Sequence, residues 1–415
     1  MLGTVAECRE VNPFRHSVVA ALWFILITAG CSEPLPPGDT RAFRSLDDFS
    51  AAYWDRPIPA QGSAASGDAL DPGSCGSCHA LQLQDWQTTL HSRAYSPGLE
   101  GQLVWWEEAD YASVRQCLVC HAPISEQSAL VPDPSSGKLV KNSGFDRKLQ
   151  RQGVICAACH MRGGQIHGPP LRNGSTPAPI EGAPHGGSIR TEYFERSEFC
   201  ASCHQFEEPS ANGKSLQNTH REWQESRYPA EGKTCQSCHM PDRRHLWRGI
   251  HDSTMTSSGV TITLDRISGN RITLRIINTG TGHYFPTYVT PKIVVQLEQL
   301  DADGMRVDGG MSEGTIGRVV QGTAAGWVEH SDTRIPPDSA FEVTASLLPG
   351  THSIRGRVTV FPDGFYDAMF AGLLAGPLSD TSRALLTKAR QITGSSSYRI
   401  FDKTVSGVGP EYLID

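Results

Sequence analysis

Five copies of one pentapeptide constrain this chain more than any other feature: CGSCH at Cys75–His79, CLVCH at Cys117–His121, CAACH at Cys156–His160, CASCH at Cys200–His204 and CQSCH at Cys235–His239. With 12 Cys and 15 His in 415 residues, chance placement gives about 0.01 such pentapeptides. The pattern is the attachment signature of c-type haem: two thiols add across the porphyrin vinyl groups and the adjoining imidazole ligates the iron. Zinc ribbons use paired cysteines but have no need of a histidine after each pair. Thioredoxin-like chemistry needs one such pair on a βαβ frame, and a disulfide framework would not place the histidines. Five covalently attached haem c groups are therefore expected, held by Cys75, Cys78, Cys117, Cys120, Cys156, Cys159, Cys200, Cys203, Cys235 and Cys238, with His79, His121, His160, His204 and His239 as proximal ligands.

The remaining cysteines, Cys8 and Cys31, lie in or at the end of a leader. Residues 18–27 form an apolar run preceded by Arg15 and His16, too short to span a bilayer and suited to a signal peptide. The small residues Thr28, Ala29 and Gly30 before Cys31 predict lipoprotein-type cleavage, with Cys31 carrying the lipid. Export follows also from the cofactor, because c-type haem is attached outside the cytoplasm. The expected location is the periplasm or outer-membrane surface, with membrane attachment through the lipid. A formal charge of −7 gives no polycationic surface for nucleic acid. Residues 32–74 read as a linker, with one short helix over Phe43–Trp54.

The motifs start 42, 39, 44 and 35 residues apart, too irregular for a solenoid. Short helices and Gly/Pro-rich loops join them, so haem packing rather than side-chain packing should dominate residues 75–256. The sixth ligand of each iron decides what the chain does. Nine histidines outside the motifs and leader are available, and His167, seven residues after His160, is a candidate on spacing alone.

The segments Trp86–His91, Gly153–Cys156, Ser197–Cys200, Gly232–Cys235 and Cys238–Pro241 resemble the multihaem cytochromes related to hydroxylamine oxidoreductase and its tetrahaem cytochrome partner. The resemblance spans roughly residues 70–290. It implies mostly bis-histidine irons, with His91, His185, His245, His251 and His283 matching distal ligands of that family. Bis-histidine ligation closes the iron to substrate and leaves electron transfer as its work. His283 also has a local argument, since Gly280 and Gly282 allow a close backbone approach and Pro286 fixes the loop exit.

Beyond residue 257 the pattern changes to period-two alternation, as in Val260–Leu264 and Ile272–Ile277 around a turn. Strands are expected again at Lys292–Leu300, Phe341–Leu347 and Arg357–Phe361. Helical spacing runs over Tyr366–Ile392, broken at Pro377. The expected fold is α+β: a mostly helical, loop-rich pentahaem domain, then an antiparallel Ig-like β-sandwich over 257–415 with a C-terminal helical segment, its role support and docking. The expected function is an exported electron carrier between redox partner proteins rather than an enzyme. The alternative is an oxidoreductase acting on a small nitrogen or sulfur oxyanion at one open haem. The Cys-x-x-Cys-Lys variant of the active haem in the resembling nitrite reductases does not occur here.

Overall fold

The computed structural model describes residues 70–106, 111–133, 135–162, 165–172, 187–206, 214–267, 270–323 and 326–407. The leader with Cys31, nearly all of the linker with its expected helix, and His185 lie outside them.

The N-terminal part is built from short helices: α1 (Pro72–Gly76), α2 (Ala80–Gln87), α3 (Pro97–Trp106), α4 (Tyr111–His121), α5 (Arg147–Arg151), α6 (Cys156–His160), α7 (Glu198–His204), α8 (Thr219–Gln224), α9 (Cys235–His239) and α10 (Ser253–Ser258). Four of the motifs close a helix, with the histidine as its last residue. The reason is geometric. One helical turn puts the first Cys, the second Cys at i+3 and the His at i+4 on a single face. The first motif differs: α1 ends at Gly76 and His79 caps the start of α2. Short pairings β1 (Leu130–Pro132) with β2 (Leu139–Lys141), and β3 (Met161–Arg162) with β4 (Gln165–Gly168) and β5 (Ile189–Arg190), tie the loops together. Side-chain cores here are small. One gathers Leu70, Trp86, Ile124, Leu149 and Ile155, and another Tyr95, Leu103, Val114 and Leu118.

The C-terminal part holds β6 (Val260–Ile267), β7 (Arg271–Asn278), β8 (Lys292–Leu300), β9 (Arg306–Thr323), β10 (Gly326–Asp332), β11 (Ala340–Ser346), β12 (Ser353–Phe361), α11 (Gly364–Leu374), α12 (Asp380–Gly394) and β13 (Tyr398–Ser406). All its strand pairs are antiparallel. A five-stranded sheet runs β10-β9-β8-β12-β13 and a three-stranded sheet β11-β7-β6. One core joins them: Ile272, Leu274 and Ile276 of β7 with Ile293, Val295 and Leu297 of β8 and Val358 and Val360 of β12. Alternation along β8 and β12 turns every second side chain inward.

Pro377 falls between α11 and α12, as the broken helical spacing predicts. The two helices pack against each other and α12 lies on α3. A Cβ at Gly98 would stand 2.6 Å from the Phe370 ring, and one at Gly101 3.0 Å from Leu386. These glycines let the C-terminal helices reach the haem-motif region.

Candidate cofactor-binding site

The two parts meet around a cavity of about 3540 Å³ lined by cysteines and histidines of all five motifs. That is several times the ~300–1,000 Å³ of an ordinary small-molecule site. The ten motif cysteines form no disulfide with one another. Cys75 lies within hydrogen-bonding reach of Cys156, Cys120 of Cys203, and Cys200 of Cys235. Cys159 of the third motif is near both Cys200 and Cys203. The fourth motif is thus the junction of the group: it touches the second and fifth, and reaches the first through the third.

Three pairs of imidazoles face each other across this space. His160 and His245 have ring centroids 6.1 Å apart at 27°, His91 and His204 6.3 Å at 58°, and His239 and His283 6.3 Å at 14°. A metal–imidazole bond is ~2 Å. Two such bonds on opposite sides of one metal, plus half of each ring, separate the centroids by about 6 Å. The spacing of each pair would suit one metal ion held between its two rings.

Backbone carbonyls engage Nδ1 of four of the six paired rings and of His121. His239 Nδ1 lies 2.6 Å from Arg248 O, His283 Nδ1 2.9 Å from Tyr284 O, His160 Nδ1 2.9 Å from His167 O, His245 Nδ1 3.1 Å from Arg243 O, and His121 Nδ1 2.7 Å from Ala94 O. A proton on Nδ1 donated to each carbonyl leaves Nε2 as the metal-binding lone pair and fixes ring orientation. Burial favours the same neutral form. It pushes the His91 imidazolium down to about 3 and His204 to about 4, with neighbouring histidines adding to the effect. Burial likewise lowers His121, His239, His245 and His283.

Two other candidates are placed by other contacts. His167 is buried at 2% exposure, and its carbonyl serves His160. His251 turns Nε2 toward Asp363 Oδ1 at 3.0 Å. His121 meets no imidazole at the paired spacing among the described residues. Near the second motif the aromatic groups are phenols, with Tyr288 close to Cys117 and Cys120 and Tyr366 close to Cys117.

Two groups of residues absent from the sequence-based expectations hold the segments that carry these histidines. Glu222 of α8 accepts from Tyr284 N at 3.1 Å and Thr287 Oγ1 at 2.8 Å, and pairs with Arg334 at 2.9 Å. Both charged side chains are 2% exposed. Arg334 also binds Asp332, which with Glu329 receives Lys214. The second group is the strap after the fifth motif. Arg244 makes two bonds to Asp85, at 2.6 and 2.7 Å, while His245 N donates to the same carboxylate. A glutamate between Arg221 and Trp223, or one arginine among several, carries no sequence signal for such a contact.

Residues 74–161, which include the first three motifs, match the family cytochrome c554 and c-prime. The fold is similar to that of a penta-heme cytochrome c552 from Thermochromatium tepidum, at 17% identity and TM-score 0.55, over 82% of this chain and 98% of that one. An X-ray structure of a structural-genomics target aligns over 37% of this chain and 87% of its own at 14% identity, with TM-score 0.15. No curated protein matches the sequence. The family match and the shared fold support a multihaem c-type cytochrome.

Proposed function

We propose that the chain is an exported pentahaem electron carrier, with electrons passing between redox partner proteins through covalently attached haem c. The observation that carries this reading is the set of three imidazole pairs, 6.1–6.3 Å between centroids, each pairing a motif histidine with one from elsewhere. Haem c, when bound, supplies a one-electron iron couple. Cys75, Cys78, Cys117, Cys120, Cys156, Cys159, Cys200, Cys203, Cys235 and Cys238 would anchor the five groups. His79, His121, His160, His204 and His239 would ligate from the proximal side, and His91, His245 and His283 from the distal side of the fourth, third and fifth. Paired imidazoles would close a site to small ligands, and the carbonyl partners of His160, His245, His239 and His283 would keep those rings from turning away. Contact between the cysteines of different motifs supports short steps between sites. Lipid attachment at Cys31 would keep the carrier at the membrane.

A second reading attaches to the second motif, where His121 has no imidazole at the paired spacing among the described residues and the phenols of Tyr288 and Tyr366 lie near the motif cysteines. An open position there would suit an oxidoreductase acting on a small nitrogen or sulfur oxyanion. The electron paramagnetic resonance spectrum of the oxidised holoprotein separates the two. Low-spin ferric signals throughout support the carrier, whereas a high-spin signal that disappears in Cys117→Ala/Cys120→Ala assigns a catalytic site to the second motif.

A further inference from the structure

The strap from Arg243 to Arg248 carries a residue whose backbone is out of the ordinary. Trp247 has φ of +39°, a left-handed conformation that bulky residues adopt only when their surroundings impose it. The surroundings do so from both sides. Arg244 and His245 N are anchored on Asp85, itself 3% exposed, and Arg248 bonds Thr88 O and Oγ1 at 3.1 and 2.8 Å. Trp247 N donates to His239 O at 2.9 Å.

Held in this way, the indole lies against two imidazoles that serve different motifs. Its ring centroid is 4.8 Å from that of His91 at 71°, and 5.0 Å from that of His245 at 84°. Both contacts are edge-to-face, the geometry the aromatic quadrupole favours. His245 has a carbonyl on Nδ1 to orient it, through Arg243. For His91 the indole edge stands where a second constraint on ring rotation is needed.

We propose that Trp247 is a positioning residue shared by the distal ligands of the third and fourth sites, setting the orientation of the His91 and His245 rings together. The proposal rests on the bis-histidine reading above. Axial-ring orientation governs the g-values of a low-spin ferric haem, so the role has a spectroscopic signature that simple packing would not move.

The test uses the oxidised holoprotein, with pyridine haemochrome confirming an unchanged haem content. His91→Ala and His245→Ala first identify the two signals, each variant losing one. Trp247→Leu, which removes the flat edge, should then shift or broaden both of those signals and leave that of the His239–His283 site in place. Trp247→Phe, which keeps an aromatic edge, should restore the positions of the unmutated protein. Should Trp247→Leu fail to mature, Trp247→Met fills the volume without a ring and reads the same way. A Leu or Met spectrum superimposable on that of the parent, or a change confined to one signal, overturns the proposal. An unmutated spectrum lacking low-spin signals would instead overturn the bis-histidine reading itself.

Discussion

The rings of His239 and His283 lie 14° from parallel with centroids 6.3 Å apart, although one ends a haem-motif helix and the other sits in the loop between β7 and β8. Each has Nδ1 on a backbone carbonyl and so turns Nε2 toward the gap. The loop reaches this position because Glu222, from the motif region, receives Tyr284 N and Thr287 Oγ1. The two halves of the molecule thus contribute one imidazole each to this pair.

The Glu222–Arg334 pair should be among the most consequential contacts at this junction. Both side chains are out of water, so Arg334→Ala leaves a carboxylate buried and uncompensated at a cost of roughly 3–5 kcal/mol. Arg355→Ala, at the half-exposed pair with Asp402, should cost about 0–1 kcal/mol. Denaturant midpoints of the two variants, measured side by side, check the ranking. Equal losses would show that the buried pair does not hold the junction.

Acid should weaken the same junction in a defined window. Burial alone would raise the Asp332 carboxyl, but hydrogen bonds and charge from Arg334, then Lys214, outweigh it and hold the group at about 2, below the ordinary 3.8. The folded form therefore binds fewer protons than the unfolded one between these values. The stabilisation, about 2 kcal/mol, is fully present above pH 3.8 and lost as pH falls through about 2. Stability measured from pH 5 to pH 2 should fall less steeply in Asp332→Asn than in the parent. Parallel curves would remove Asp332 from the account.

The cofactor count is a direct matter of stoichiometry. Pyridine haemochrome assay should give five haems per chain, and Cys117→Ala with Cys120→Ala should give four. Four in the unmutated protein would mean that one motif is not used.

Cys31→Ser tests the anchor. If an acyl chain holds the protein at the membrane, the variant should move to the soluble periplasmic fraction. Unchanged fractionation would leave export without lipidation.

The sequence disclosed the site and the fold to unequal depth. The five motifs could be read at once because Cys-x-x-Cys-His fits one helical turn, and the structure closes α4, α6, α7 and α9 on those histidines. The hairpin of β6 and β7 and the break at Pro377 followed from alternation and from the loss of an N–H. The length of β9, from Arg306 to Thr323, was hidden because Gly309, Gly310, Gly314, Gly317 and Gly322 interrupt its apolar pattern. Distal ligands were hardest to rank, since a histidine's partner depends on tertiary approach. His245 and His251 are six residues apart, yet the first faces His160 and the second turns to Asp363. Trp247 and Glu222 gave no signal at all, as their roles consist of contacts with residues distant in sequence.

The most direct measurement is the spectrum of His283→Ala. If His283 completes the fifth site from the β-sheet half, the oxidised variant should lose one low-spin ferric signal, gain one high-spin signal and bind one equivalent of carbon monoxide when reduced, with its haem count unchanged. A variant that keeps every low-spin signal and binds no more carbon monoxide than its parent would contradict the shared ligand set.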